Sequence, residues 1–275
     1  MGVAKPHIMG IINVTHDSFF PDSRKTSIRD AVEKGLAFRA VGADSIDVGG
    51  ESTRPGSEYV SAEEELARVV PVIEALAKEV GLPLSVDTRK ASVASEAIRA
   101  GATMVNDVSA LRDDDEMISL CAEEGVSVVL MHMRGTPKTM QEHPSYDDTI
   151  GEISVELQEL AERAISGGIA KEKIILDPGI GFGKRQKDNL LILREIERFK
   201  ALGFPLLLGL SRKSFLGRLI GEPERPAPVE EREAATLAAH AWCIAQGVDY
   251  LRVHDVKATR DARAVITAIQ GVGEA

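Results

Sequence analysis

Two cysteines, one tryptophan and three tyrosines among 275 residues mark what this sequence has little of. Cys121 and Cys243 lie far apart in helix-like segments, with no metal-ligand spacing, which excludes a cysteine-built zinc or iron–sulfur framework and reads as two reduced, structural thiols. No apolar run approaches the roughly 20 residues needed to span a bilayer. The N-terminal stretch also lacks the apolar centre of a signal peptide, so no membrane association is expected and the cytoplasm is the expected compartment. Positive charge is in deficit as well: 33 basic against 43 acidic side chains give a formal net charge of -10. That balance argues against non-specific binding to nucleic acid or to an anionic membrane, while leaving room for a local basic pocket. Linkers and low-complexity tracts are missing too, so residues 1–275 read as one domain.

What is present is aliphatic: 44% of residues are apolar, with Leu, Ile, Val and Ala dominating, enough to bury a full core. Eight short apolar runs recur, at Ile8–Val14, Ser45–Val48, Leu84–Val86, Met104–Val108, Val126–Met131, Ile174–Leu176, Leu206–Leu210 and Tyr250–Val253. Near-continuous hydrophobicity, rather than alternation, belongs to strands covered on both faces, and therefore to a parallel sheet. Amphipathic segments separate them, at Ile28–Val41, Ala62–Val80, Ala91–Ala100, Glu116–Glu124, Gly151–Gly167, Leu190–Leu202, Glu230–Gln246 and Ala258–Ile269. Gly42, Gly101, Gly125 and Gly247 each follow such a segment, where a left-handed helix cap is expected. Eight β-α pairs in a chain of this length predict an α/β fold, a single (β/α)8 TIM barrel with its active site at the C-terminal ends of the strands. A doubly wound open sheet is the alternative, and the lack of G-x-G-x-x-G after the first strand leaves it unsupported.

Every expected strand end is polar. The ends carry Asn13, Asp47, Asp87, Asn106 with Asp107, His132, Asp177, Ser211 with Lys213, and Arg252 with His254. A single Asp or Asn after a strand is as readily a turn or cap former as a functional group; eight together are hard to explain as turns. Arg252 and His254 are two apart, hence on one face, and with Lys213 they suit a polyanion near strands seven and eight. Asn13 can add a neutral oxygen to a Mg2+ ion that bridges phosphate oxygens. Asp87, Asn106 and Asp177 can pair with the donor edge of a flat, amino-substituted heterocycle. Asp107 is read as a capping or supporting residue, and His132 as a satisfied buried histidine. Two loops are too polar and glycine-rich for packing: D-V-G-G-E-S-T-R-P-G-S at 47–57, and D-P-G-I-G-F-G-K at 177–184, whose Phe182 either stacks on a planar ligand or anchors the loop.

These motifs, with M-G-I-I-N-V-T at 9–15, S-V-D-T at 85–88, N-D-V at 106–108, M-H-M-R-G at 131–135, S-R-K-S at 211–214 and R-V-H-D at 252–255, resemble dihydropteroate synthase of folate biosynthesis across nearly the whole chain. The resemblance implies a (β/α)8 barrel, usually a homodimer, that condenses 6-hydroxymethyl-7,8-dihydropterin diphosphate with 4-aminobenzoate to 7,8-dihydropteroate and diphosphate, with Mg2+ assisting. It implies that Asp87, Asn106, Asp177 and Lys213 hold the pterin, and that Asn13, Arg252 and His254 hold the diphosphate. Thr53, Arg54 and Pro55 would close over the site, with Phe182, Lys213 and Ser214 lining the aminobenzoate pocket that sulfonamides would contest. An SN1-like path, with Asp87, Lys213, Arg252 and His254 as catalytic residues, fits a good leaving group and a cation that the pterin can delocalise. The chain departs from the family after Asn13-Val14-Thr15, where His16–Ser23 lack the usual glycines and early proline of the first loop. Two other readings are a pterin-dependent methyltransferase domain, which would have no use for E-S-T-R-P-G or the basic cluster, and a catalytically silent pterin-binding homologue, which has no reason to keep every polar strand end.

Overall fold

The computed structural model of the protein describes residues 5–14, 21–53, 56–222 and 224–272. Eight strands, β1 (His7–Asn13), β2 (Ser45–Gly49), β3 (Leu84–Asp87), β4 (Met104–Asp107), β5 (Ser127–Met131), β6 (Ile174–Asp177), β7 (Leu207–Leu208) and β8 (Tyr250–Val253), form one sheet in the order β6-β5-β4-β3-β2-β1-β8-β7. All named pairings are parallel. A parallel bridge between Leu176 and Leu206 joins β6 to the β7 edge and closes the ring. The helices between them are α1 (Pro21–Ala40), α2 (Ala62–Glu79), α3 (Ala91–Arg99), α4 (Met117–Glu124), α5 (Thr149–Ser166), α6 (Gln186–Arg194), α7 (Ile196–Lys200), α8 (Ser214–Ile220), α9 (Glu233–Ala245) and α10 (Val256–Gln270). This is the expected (β/α)8 barrel.

Side-chain direction along the strands explains where the site forms. Ile8, Ile46, Val48, Val86, Val105, Val128, Leu130, Leu176, Leu208 and Leu251 face outward into a core shared with the helices. The alternate residues Met9, Val129, Ile175 and Leu207, with Met104 and Tyr250 packed on them, form a separate apolar plug inside the barrel. Burying each large plug side chain is worth roughly 1.5–3 kcal/mol. Because the strand repeat is two residues, the next inward positions lie directly above the plug: Asn106 above Met104, Asp177 above Ile175 and Arg252 above Tyr250. The same alternation that packs the barrel delivers polar groups to its mouth.

Two helices depart clearly from those read in the sequence. The segment expected as one helix over Leu190–Leu202 is two, α6 and α7, broken at Glu195 (φ -106°, ψ 31°). The helix expected from Ile28 begins at Pro21, a residue suited to a first helical turn because its missing N–H has no intrahelical partner there. Pro21–Ser23 therefore belong to α1 rather than to the first loop, whose residues 16–20 lie outside the described residues. The glycine caps agree with expectation: Gly42, Gly101, Gly125 and Gly247 have φ of 90°, 118°, 61° and 70°.

Candidate active site

The floor of the barrel mouth is built on a buried carboxylate one rung below the rim. Asp47, inaccessible to solvent, accepts through Oδ2 from Arg252 Nε at 2.5 Å and from Asn106 Nδ2 at 3.1 Å. Read from the sequence as a polar strand end, Asp47 lies two residues inside β2 and supports Arg252 and Asn106 from within the barrel. Arg252 turns inward as well, and its Nη2 donates to Asp87 Oδ2 at 2.7 Å. Burial works against the Arg252 charge, but Asp47 and Asp87 outweigh it and hold its pKa above the ordinary arginine value. Burial pushes the Asp87 carboxyl up to about 7; Arg252 opposes the shift, while Asp47, Glu65 and Asp107 add to it. Gly49 sits between Asn13 and Asp87: a Cβ there would lie 3.5 Å from Asp87 Cβ and 3.8 Å from Asn13 Oδ1, in ordinary van der Waals contact with both.

Across the barrel, Asp177 accepts Gly179 N–H through Oδ1 at 2.7 Å. Its pKa is raised by burial, against the pull of Lys213, Lys184 and Arg252 and of the Gly179 hydrogen bond. Lys213 reaches over from the β7–α8 turn, donates to the Ile180 carbonyl and places Nζ 4.6 Å from the centre of the Phe182 ring. Burial lowers its pKa to about 8, with Asp177 opposing and Arg252 adding to the shift. The backbone before it is strained: Arg212 is left-handed at φ 61°, held by its N–H to Thr236 Oγ1 and by Arg232 donating to its carbonyl. Phe182 also packs on Val108, Met131, Met133 and Met140, which is the anchoring arrangement.

The Gly-rich loop carrying Phe182 rests on a residue to which the sequence reading gave no role. Lys184 is buried and donates to His132 Nδ1 at 2.9 Å, to the His132 carbonyl at 3.2 Å and to the Phe182 carbonyl at 2.9 Å. Burial lowers its pKa to about 7, with Asp177 opposing. Since Nδ1 accepts, the His132 proton is on Nε2, which meets Glu156 at 2.9 Å; burial and Lys184 lower His132 to about 4. His132 is thus a satisfied buried histidine, as read from the sequence. Gly179 must be glycine, because at φ 69° an added Cβ would lie 2.0 Å from the His132 carbonyl oxygen. Asp107 caps its own turn, accepting from the Ser109 N–H and hydroxyl and from Leu111 N–H.

The remaining expected residues are spread around the rim. Asn13 is exposed at the end of β1, paired with Gly49 in the sheet, and its side chain has no hydrogen-bond partner among the described residues. His254 is engaged by Ser211, whose hydroxyl lies 2.9 Å from Nδ1, and does not bond Arg252. Ser214 opens α8 directly after Lys213 and is exposed. Thr53 is half-buried, whereas Arg54 and Pro55 lie outside the described residues. The base of their loop is pinned by Glu51, which pairs with Arg89 at 2.7 Å and Lys90 at 2.5 Å; Lys90 also pairs with the buried Glu65 at 2.5 Å and lies 4.4 Å from the Tyr59 ring centre. Glu51 stands in a quoted motif but carries no local signal of these partners, which come 38 and 39 residues later.

A family model described as pterin binding enzyme matches residues 9–254. Dihydropteroate synthase of Escherichia coli K12 is 44% identical over 268 residues, covering 98% of this chain and 93% of its own. Among solved structures, Yersinia pestis dihydropteroate synthase in complex with a sulfonamide drug superposes with a TM-score of 0.91 at 41% identity, covering 99% of this chain and 97% of that one. The Xanthomonas albilineans enzyme in complex with 7,8-dihydropteroate gives a TM-score of 0.85 at 43% identity, covering 99% and 96%.

Proposed function

The chain belongs to the dihydropteroate synthase family of pterin-binding enzymes, and from that premise we propose that it joins 6-hydroxymethyl-7,8-dihydropterin diphosphate to 4-aminobenzoate by an SN1-like path, releasing diphosphate. The observation that carries this reading is the ring of Asp87, Asn106 and Asp177 facing a common mouth with Arg252 and Lys213. Carboxylates and an amide accept from the donor edge of the pterin, while Lys213 donates to it. Arg252 has Nε and Nη2 committed to Asp47 and Asp87, which leaves Nη1 for the diphosphate beside His254. Thr53, Arg54 and Pro55 shield the site, and Phe182, Lys213 and Ser214 border the aminobenzoate. Sulfonamides compete there.

In the reaction the bond from the exocyclic methylene to oxygen breaks and diphosphate leaves with the electron pair. The pterin delocalises the cation, and the Asp87 and Asp177 carboxylates stabilise it without moving. The arylamine nitrogen then bonds to the methylene and gives up one proton to the departing diphosphate. No strong base is required, so the chain's task is to hold charge, orient both substrates and exclude water. The family implies Mg2+. A hard cation that keeps most of its waters needs only one or two protein oxygens besides phosphate, and the exposed, unpartnered Asn13 amide fits that demand. Asn13 Oδ1 would hold it, and when bound it neutralises diphosphate charge.

The same reading includes a cytoplasmic homodimer. Apolar side chains stand exposed on three neighbouring helices, Leu219 and Ile220 on α8, Trp242 on α9 and Val265 and Ile269 on α10, and α9 packs against both others. The purified protein mixed with dihydropterin diphosphate, Mg2+ and radiolabelled 4-aminobenzoate should yield labelled pteroate. Pterin binding without product would instead favour the silent homologue.

A further inference from the structure

Asp47 belongs to none of the expected substrate contacts, yet it is fully buried and bonds two residues that do. A carboxylate only accepts hydrogen bonds, so the edge of Asn106 that meets Asp47 Oδ2 at 3.1 Å must be its NH2 group. That fixes the amide's rotation: Oδ1, which takes no bond from the described residues, is turned to the other side, toward the mouth. The Arg252 guanidinium, gripped at Nε by Asp47 and at Nη2 by Asp87, is likewise set in one plane by two carboxylates. With Asp87 and Asp177 already acceptors, Asn106 completes an acceptor face only while Asp47 holds it in this orientation.

We propose that Asp47 is a positioning residue that sets the amide orientation of Asn106 and the plane of Arg252, and thereby makes the pterin pocket selective for ring edges that donate hydrogen bonds. This deepens the reading of the site given above and rests on it. Neutralising Asp47 while keeping its shape frees Asn106 to present its NH2, which meets a ligand oxygen as readily as its carbonyl meets a ligand N–H. The selectivity, and not only the stability of the pocket, then depends on a residue that touches no ligand.

The test compares binding of 6-hydroxymethyl-7,8-dihydropterin with that of its analogue carrying an oxo group in place of the 2-amino group, by titration calorimetry, in wild type, Asp47→Asn and the exchange Asp47→Asn with Asn106→Asp. In the exchange, the carboxylate introduced at position 106 accepts on both edges, so the acceptor face no longer depends on the orientation that residue 47 imposes. Wild type should prefer the amino compound. Asp47→Asn should lose about tenfold of that preference, the scale of one net hydrogen bond, and the exchange should recover most of it. Unchanged preference in Asp47→Asn, or equal loss in the exchange, would overturn the inference. Wild type that binds neither compound would instead bring down the reading beneath it. Should Asp47→Asn not fold, the wild type still decides: the Asn106 side-chain NH2 resonances in a 15N spectrum should be exchange-protected and unmoved on pterin binding, and a large shift would refute the assigned orientation.

Discussion

Replacing Arg252 by methionine should move the acid limb of pterin binding, because Arg252 is what keeps the Asp87 carboxyl from rising further. Burial, with Asp47, Glu65 and Asp107 nearby, drives Asp87 up to about 7, and the Arg252 Nη2 contact at 2.7 Å is the opposing influence. The sign follows from the direction of that shift: below about pH 7 the carboxyl is protonated and neutral, so it loses its charge-assisted acceptor and affinity falls about tenfold per pH unit. An opposite charge at this range is worth about one to three pKa units, so in Arg252→Met the limb should move upward by that amount. At pH 7.5 that predicts a loss of affinity between roughly threefold and two-hundredfold. Calorimetric titration with 6-hydroxymethyl-7,8-dihydropterin between pH 6 and 9.5 isolates the effect, since this ligand has no diphosphate for Arg252 to contact. Arg252→Lys, which keeps the charge, should lie between the two. A methionine variant whose limb coincides with that of wild type, or whose affinity improves on acidification, would refute the reasoning.

Other consequences can be checked on the same protein. Lys213 is lowered by burial to about 8, and only its protonated form gives the pterin a charge-assisted hydrogen bond, so wild-type kcat/KM should fall as pH rises through about 8; a plateau to pH 10 would remove Lys213 from that role. Gly179→Ala forces a Cβ to within 2.0 Å of the His132 carbonyl oxygen at a left-handed position. A loss of at least about 2 kcal/mol in urea unfolding is expected, and an unchanged midpoint would mean that the loop moves aside at no cost. Glu51→Gln breaks the link to Arg89 and Lys90 beneath the second loop, both partners being largely buried. The KM for 4-aminobenzoate should rise several-fold while pterin affinity holds, and the opposite split would detach this loop from the aminobenzoate pocket.

The barrel and the identity of its polar mouth were legible because one local pattern encodes both. A strand covered on two faces reads as a continuous apolar run, and the first polar residue after Val86, Val105 or Leu176 is the inward group above the plug. What the sequence does not carry is which of these groups meet. The bonds from Arg252 to Asp47 and Asp87 join residues 205 and 165 positions apart, so nothing in R-V-H-D tells that its arginine turns into the barrel while its histidine turns to Ser211. Lys184 escaped for a related reason, since a lysine closing a glycine-rich loop resembles a solvated charge until the loop folds its ammonium onto His132. The break at Glu195 is hidden because Leu193, Ile196 and Phe199 continue the helical spacing of apolar residues across it. Residue propensity alone does not mark that stop.

The most direct test of this account is kcat/KM for labelled pteroate formation in wild type beside Asp87→Ala and Lys213→Ala, each confirmed as folded. Robust turnover in wild type with none above background in either variant is the predicted result. Near-normal kcat/KM in either variant would contradict the placement of the pterin between these two residues.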